Sequence, residues 1–260
     1  MIKSRFKENS IGLYTIIRRE ISRFIRIWSQ TLLPSVISMT LYFVIFGRLI
    51  GARIGEIGGF SYVEYIVPGL IMMSIITNSY GNVVSSFFGS KFQRNIEEML
   101  VSPMPNFIIL WGYLLGGLAR GIVIGLLVTI VSLSFTKLPL AHLWVVLVVG
   151  ILTALLFSLA GFINGIFAKK FDDINIVPTF VLTPLTYLGG VFYSIDLLPQ
   201  IWQWVSYSNP VFYMINAFRY GMLGQSDIDI RVALWVIIGF IVVLYSWAIW
   251  LFRKGVGIKT

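Results

Sequence analysis

The sequence predicts an all-α polytopic membrane protein: six transmembrane helices, an N-terminal amphipathic interfacial helix, and a short extracellular re-entrant hairpin between helices five and six. Three observations predict it. The 260 residues are 57% hydrophobic and only 12% charged, with a mean hydropathy of +0.87, whereas soluble domains are roughly 45–50% apolar and about 25% charged. Long apolar runs recur along the chain, each near the roughly 20 residues a membrane helix needs. Lys and Arg gather in alternate connections between those runs, the bias that orients membrane proteins.

Composition also excludes several chemistries. There is no Cys, and the single histidine, His142, cannot by itself build a zinc site or a catalytic triad, so metal-dependent catalysis is not expected. The net charge of +9 would suit a nucleic acid only if the basic residues shared a surface within reach of a duplex. Their dispersal over alternate loops argues against that partner.

Taken in order, residues 1–30 form the first element. Tyr14, Ile17, Ile21, Phe24, Ile25 and Trp28 fall on one helical arc, with Arg19, Arg23 and Arg26 opposite. Such a helix lies in the inner interface with its cations toward anionic headgroups; packing on a cytosolic partner is the alternative. Six spans follow at 31–50, 63–87, 107–134, 143–167, 176–195 and 232–252, the last trailed by a short tail at 253–260. Lys3, Arg5, Lys7, Arg18, Arg19, Arg23 and Arg26 precede the first span, Lys91 and Arg94 follow the second, Lys169 and Lys170 follow the fourth, and Arg253, Lys254 and Lys259 close the chain. The opposite side holds Arg53, Lys137, Arg219 and Arg231, with Arg48 near a helix end. This imbalance places both termini in the cytoplasm, as expected of a bacterial inner-membrane protein. No small-residue cleavage site follows Phe46, so the first span is expected to be retained.

Small residues mark where helices can approach closely. The third span carries Gly117, Gly121 and Gly125, with Gly112 and Gly116 as a further pair, and the fourth carries Gly150, Ala154, Ser158, Gly161 and Gly165; these two helices are expected to pack tightly. The sixth span, rich in Val, Ile, Trp and Phe, is expected to meet lipid. Polar residues concentrate on the second span, at Asn78, Asn82 and Ser85 with Thr77, Ser79 and Ser86 beside them, and on the fifth, at Thr179, Thr183 and Thr186 around the kinking Pro178 and Pro184. These faces line a translocation route or its closed seam, or else serve interhelical hydrogen bonding. Arg120 is the one charge near a span centre, and Glu64 is its candidate partner; the pair is either structural or a headgroup site. The lack of a carboxylate relay weighs against ion-driven transport.

Two further segments stand out. In the loop after the second span, Phe92 and Arg94 precede a short helix in which Ile96, Met99 and Leu100 share one side and Glu97 and Glu98 flank them, until Pro103 and Pro105 stop it. A soluble partner can grip such a knob; a helix resting on the bilayer is the alternative. Beyond the fifth span, residues 196–231 contain Trp202, Trp204, Tyr213 and Arg219 around the break Asn209-Pro210. Two short amphipathic helices dipping into the outer leaflet fit this pattern, acting as a lid or as an interfacial anchor. Asp172 and Asp173, beside Lys169 and Lys170, read as a solvated charge cluster rather than a catalytic pair.

The loop Glu97-Glu98-Met-Leu-Val-Ser-Pro103, the run from Thr183-Pro184-Leu through Gly189-Gly190-Val-Phe-Tyr-Ser, Asn209-Pro210 and Arg219, set among six spans behind a basic helix, resemble the type-2 ABC transporter permeases over essentially the whole chain. The resemblance implies that residues 91–103 form a coupling helix docking in a groove of a separate ABC ATPase, that the N-terminal helix braces this joint, and that 196–225 form an extracellular gate. It further implies two permease copies working with two ATPase subunits. The sequence holds no G-x-x-x-x-G-K-[ST] phosphate cradle, so ATP and Mg are expected on the partner and no cofactor on this chain. The expected function is the membrane subunit of an exporter of amphiphiles. A channel or scaffold without ATP coupling is the alternative, and an intramembrane enzyme a more distant one, because no nucleophile and base share one depth.

Overall fold

A computed structural model describes residues 2–257. Of the cations counted above, Lys259 and the side chains of Lys3, Arg5 and Arg48 lie outside the described residues.

The chain opens with α1 (Ile2–Arg26), followed by α2 (Trp28–Thr31), α3 (Leu33–Tyr42), a π-helical stretch (Phe43–Ile50) and α4 (Gly51–Ile54), which stack into one apolar rod over Trp28–Ile54. A hairpin of two-residue strands, β1 (Glu56–Ile57) and β2 (Phe60–Ser61), pairs Glu56 with Ser61 and Ile57 with Phe60. It turns at Gly58 and Gly59, with φ of 60° and 82°, the two positive-φ positions of a type I′ turn. Then come α5 (Tyr62–Phe92), α6 (Asn95–Val101), α7 (Asn106–Ser132) and α8 (Leu143–Phe167). A broken rod follows, of α9 (Asp173–Val177), a π-helical turn (Pro178–Leu182) and α10 (Thr183–Leu188). A 3-10 turn (Ile195–Leu197), α11 (Gln200–Tyr207), α12 (Pro210–Leu223) and α13 (Ile230–Lys254) complete the chain.

Among the described residues, four helical stretches are long and apolar enough to cross a membrane: Trp28–Ile54, α7, α8 and α13. At 31 residues α5 is longer than each of them but more polar, because it runs through the centre of the bundle and meets protein rather than lipid. The broken rod is shorter than the expected 176–195 span: it ends at Leu188, where Gly190 turns the chain at φ 78°. Pro178 and Pro184 lack the N–H that an α-helix needs, and the π turn that follows Pro178 absorbs the mismatch.

Small residues position the helices, though not quite as the sequence suggests. A Cβ at Gly125 would sit 2.9 Å from Ile75, one at Gly161 2.6 Å from the Tyr80 carbonyl oxygen, and one at Gly165 2.9 Å from Phe87. α7 and α8 are therefore each seated against α5, and they also meet each other closely as expected, a Cβ at Gly117 striking Ser158 of α8. Gly112 and Gly116 serve neither seam. They seat Ile16 and Glu20 of α1, Glu20 Cβ lying 2.5 Å from the position of a Cβ on Gly116, so α1 runs lengthwise along the first half of α7. On α13, Trp235 and Val243 are exposed while Ala233, Ile237 and Ala248 are buried, the expected lipid-facing and inward faces.

Candidate translocation face and partner-docking surface

Between Tyr65 and Phe88, α5 is buried at every position except Met73, Thr77, Gly81 and Ser85. Residues four apart lie above one another on a helix, so these form one open stripe, continued by half-buried Gly89. A Cβ at Gly81 or Gly89 would meet nothing within 4 Å. Thr77 Oγ1 donates to the Met73 carbonyl at 2.5 Å and Ser85 Oγ to that of Gly81 at 2.7 Å. Both hydroxyls are thus satisfied by their own helix, and the stripe is smooth without stranded donors. Of the polar residues singled out on this helix, Ser85 and Thr77 lie in the stripe, whereas Asn78, Asn82, Ser79 and Ser86 are buried, so the open face is rotated from the asparagines toward Thr77 and Gly81. On the broken rod Thr179 and Thr183 are exposed, whereas Thr186 is buried and donates to the Leu182 carbonyl at 2.8 Å.

The two asparagines anchor a buried polar network. Arg120 Nη2 donates to the Thr31 carbonyl at 2.9 Å and to Asn78 Oδ1 at 3.1 Å, and Asn78 Nδ2 donates to Ser35 Oγ at 3.0 Å. Glu64 is therefore not the partner of Arg120. Its carboxylate accepts from the Ser61 backbone N–H at 2.9 Å in a capping box that starts α5. Arg120 stands near the middle of α7, as expected, and its guanidinium meets the beginning of the first apolar rod at Thr31.

Beside it, Arg23 Nη2 donates to Asn82 Oδ1 at 2.9 Å and to Glu20 Oε2 at 3.3 Å, while Arg19 Nη2 reaches Glu20 Oε1 at 3.1 Å and Tyr113 Oη at 2.9 Å. Two of the three arginines expected to face headgroups thus turn inward, because Glu20, fully buried, draws them. Glu20 was not singled out by sequence reasoning. Its signal was a lone carboxylate among Arg18, Arg19, Arg23 and Arg26, opposite a glycine able to admit it. Tyr14, Ile25 and Trp28 remain exposed at 63%, 53% and 57%, leaving α1 the apolar strip expected of an interfacial helix.

Next to α1, the chain reverses at Arg94, whose φ of 62° is the only positive value at a non-glycine among the described residues. Ile96 is buried in a cluster with Ile16, Phe87 and Tyr113, with Met99 and Leu100 packed against it. The apolar side of α6 therefore anchors the helix instead of projecting. What projects is Phe92, Glu97, Glu98, Pro103 and above all Val101, 87% exposed. Val101 escaped sequence reasoning, although an isolated β-branched residue directly before a Ser-Pro stop was visible there. Lys91 Nζ fastens this end by donating to the Ile166 and Ala168 carbonyls at 2.6 and 2.7 Å, capping α8. Asp173 accepts the Lys169 and Lys170 amides at 2.8 and 3.0 Å, and these bonds hold its carboxyl below the usual range; it is a loop cap, not half of a catalytic pair.

At the other end, α11 exposes Trp202 and Trp204 while α12 is almost wholly buried. Asn209 starts α12 by accepting from the Val211 N–H at 2.9 Å, and its Nδ2 donates to the Leu185 carbonyl. Pro210 occupies the first helical position, and Tyr213 Oη donates to the Tyr207 carbonyl at 2.8 Å, tying the two helices. Arg219 is buried, donates to the Gly190 carbonyl at 2.6 Å and lies 4.0 Å from the Tyr65 ring centroid. It lines a cavity of about 960 Å³ at this end together with Glu56, Asp196 and Asp227. Only α11 is amphipathic as expected; α12 is a packed element. Among the described residues no three His, Asp or Glu side chains could hold a metal ion.

A helical bundle with several membrane-length rods, a buried central helix open along one stripe, and a projecting joint at one end is the architecture of a transport permease. The chain belongs to the ABC-2 type transporter family, whose profile matches residues 12–223. It is 58% identical over 251 residues to the inner membrane transport permease YadH of Escherichia coli K12, covering 96% of this chain and 98% of that protein. It is also 26% identical over 234 residues to nodulation protein J of Rhizobium leguminosarum bv. viciae, covering 87% and 90% of the two chains, and 24% identical over 238 residues to that of Neorhizobium galegae, covering 91% of each.

Proposed function

We propose that this chain is the permease half of an ABC exporter in the inner membrane, moving an amphiphile outward with ATP hydrolysed by a separate subunit. The observation that carries the reading is the open stripe Met73–Thr77–Gly81–Ser85 on an otherwise buried helix, a surface that the rest of the chain leaves uncovered. A second copy facing it would enclose a route lined by satisfied hydroxyls and glycine, suited to a partly apolar cargo. In this arrangement α5 and the broken rod α9–α10 join the four apolar helices as spans, both termini lie in the cytoplasm, and α11 with α12 forms the re-entrant outer gate.

Phe92, Arg94, Glu97, Glu98 and Val101 would dock in the ATPase groove. Closure of two ATPases on ATP would bring the two α6 joints together. Because Ile96 ties α6 to α1, α5 and α7, the push would travel as a rigid-body shift that opens or closes the stripe. No covalent step falls to this chain; ATP and Mg would be held by the partner.

The test is reconstitution in proteoliposomes of this chain with its candidate ATPase, comparing wild type with Gly81→Trp. The reading expects a complex of two and two whose ATP hydrolysis exceeds that of the ATPase alone, and uncoupling by Gly81→Trp without loss of assembly. Ion conduction without ATP would favour the channel reading instead.

A further inference from the structure

The arginines of α1 do more than neutralise Glu20. Arg19, Arg23 and Arg26 line a cavity of about 510 Å³ between α1 and the last turns of α5, whose other walls are Ser85, Ser86 and Ser90 with Gln93 and Asn95 beyond them. Gly89 borders it and leaves open space where a side chain would stand. Three guanidiniums face one carboxylate, so the cavity carries a surplus of positive charge. Glu20 takes bonds from Arg19 and Arg23 only; Arg26 has no ion pair among the described residues, and the buried Nε of Arg23 has no hydrogen-bond partner.

Guanidinium groups beside hydroxyl and amide donors make up the chemistry that binds phosphate oxygens. The surroundings say which phosphate. Ile25, Ile27 and Trp28 flank Arg26 and are exposed at 53%, 38% and 57%, so the donors lie next to an uncovered apolar strip at the foot of the first membrane-length rod. A free anion has no use for such a strip, whereas a lipid phosphate carries acyl chains that would lie along it.

We propose that this cavity binds the phosphate of an anionic phospholipid, with Arg26 and Arg23 as the principal donors. Occupancy would brace α1 against α5 and α7 and fix the base of the α6 joint. The chemistry does not depend on the exporter reading; only the assignment to the cytoplasmic leaflet does.

The test uses the purified full-length chain in nanodiscs of phosphatidylcholine, titrated with short-chain phosphatidylglycerol and followed by native mass spectrometry. Short-chain phosphatidylcholine and inorganic phosphate are the comparison arms. Expected are saturable binding of phosphatidylglycerol, about fivefold weakening by Arg26→Gln, and weakening by added salt. Because Arg23→Gln exposes Glu20 to mispairing and can fail to fold, Ser85→Asp serves as the second variant, placing a carboxylate on the cavity wall; it too should weaken binding. Equal affinity for both lipids, or for phosphatidylglycerol in wild type and both variants, would overturn the proposal. Binding of inorganic phosphate as tight as that of the lipid would assign the cavity to a soluble anion and overturn it likewise.

Discussion

At the scale of single residues, the decisive positions are glycines and the charges they admit. The Tyr80 carbonyl, which a side chain at Gly161 would strike at 2.6 Å, belongs to a helix backbone and cannot rotate away. Gly161→Ala is therefore expected to destabilise the bundle by about 1–3 kcal/mol, whereas Gly81→Ala, which adds a methyl to open space, should leave thermal unfolding in detergent unchanged. Glu20→Leu should be more damaging than a typical surface change. It leaves two guanidiniums, 42% and 27% exposed, without their carboxylate, a loss of about 1–3 kcal/mol, visible as reduced yield of monodisperse protein.

In the cavity lined by Arg219, partial desolvation pushes the Asp227 carboxyl above the usual range, with Arg219 opposing. A folded-state value above the unfolded one means that Asp227 contributes stability at acid pH, which is lost as pH rises through the folded value. Asp227→Asn should then raise the unfolding temperature at pH 7 and lose that advantage progressively on acidification toward the carboxylate range, as measured by pH-resolved thermal scans.

At the scale of elements, the apolar rods were legible in the sequence because lipid imposes a simple demand. A helix facing hydrocarbon must be apolar for about 20 residues, and the expected 143–167 matches α8 at both ends. The broken rod was half legible: Pro178 and Pro184 announced the break, but its early end at Gly189-Gly190 depends on a positive φ at Gly190, whose carbonyl accepts a hydrogen bond from Arg219. On α5, polarity alone could not separate residues facing an open stripe from those facing a network. Asn78 and Asn82 look equally suited to either, and only the positions of Arg120 and Arg23 decide. The same limit applied to α6, where Ile96, Met99 and Leu100 share an apolar side in either orientation, and burial against Ile16 and Phe87 selects the inward one. The stripe carries its own prediction. Thr77→Trp should abolish ATP-coupled transport while leaving the unfolding temperature within about 1 kcal/mol equivalent of wild type, since surface-type substitutions away from packed features change stability by about ±0.5 kcal/mol.

At the scale of the whole molecule, one chain supplies a rigid bundle with two uncovered regions: the α5 stripe and the outer edge of α6. Each is incomplete in the isolated chain, and each matches a different partner of the proposed complex, a second permease copy and an ATPase. Exposed apolar residues such as Trp235 and Val243 on α13 or Leu49 and Ile37 on the first rod lie on membrane-length helices, where lipid is the expected cover. The basic cavity at α1 sits where these demands meet, between membrane surface, central helix and docking joint.

The most direct measurement of the central claim is co-purification of this chain with its candidate ATPase, comparing wild type with Val101→Asp and with the double change Glu97→Lys, Glu98→Lys. The account predicts a stable complex for wild type and loss of the ATPase from both variants, whose buried Ile96 anchor keeps α6 in place and the permease monodisperse. An ATPase that stays bound to both variants would contradict the assignment of the outer edge of α6 as the docking surface, and an ATPase that never co-purifies with wild type would contradict the permease mechanism itself.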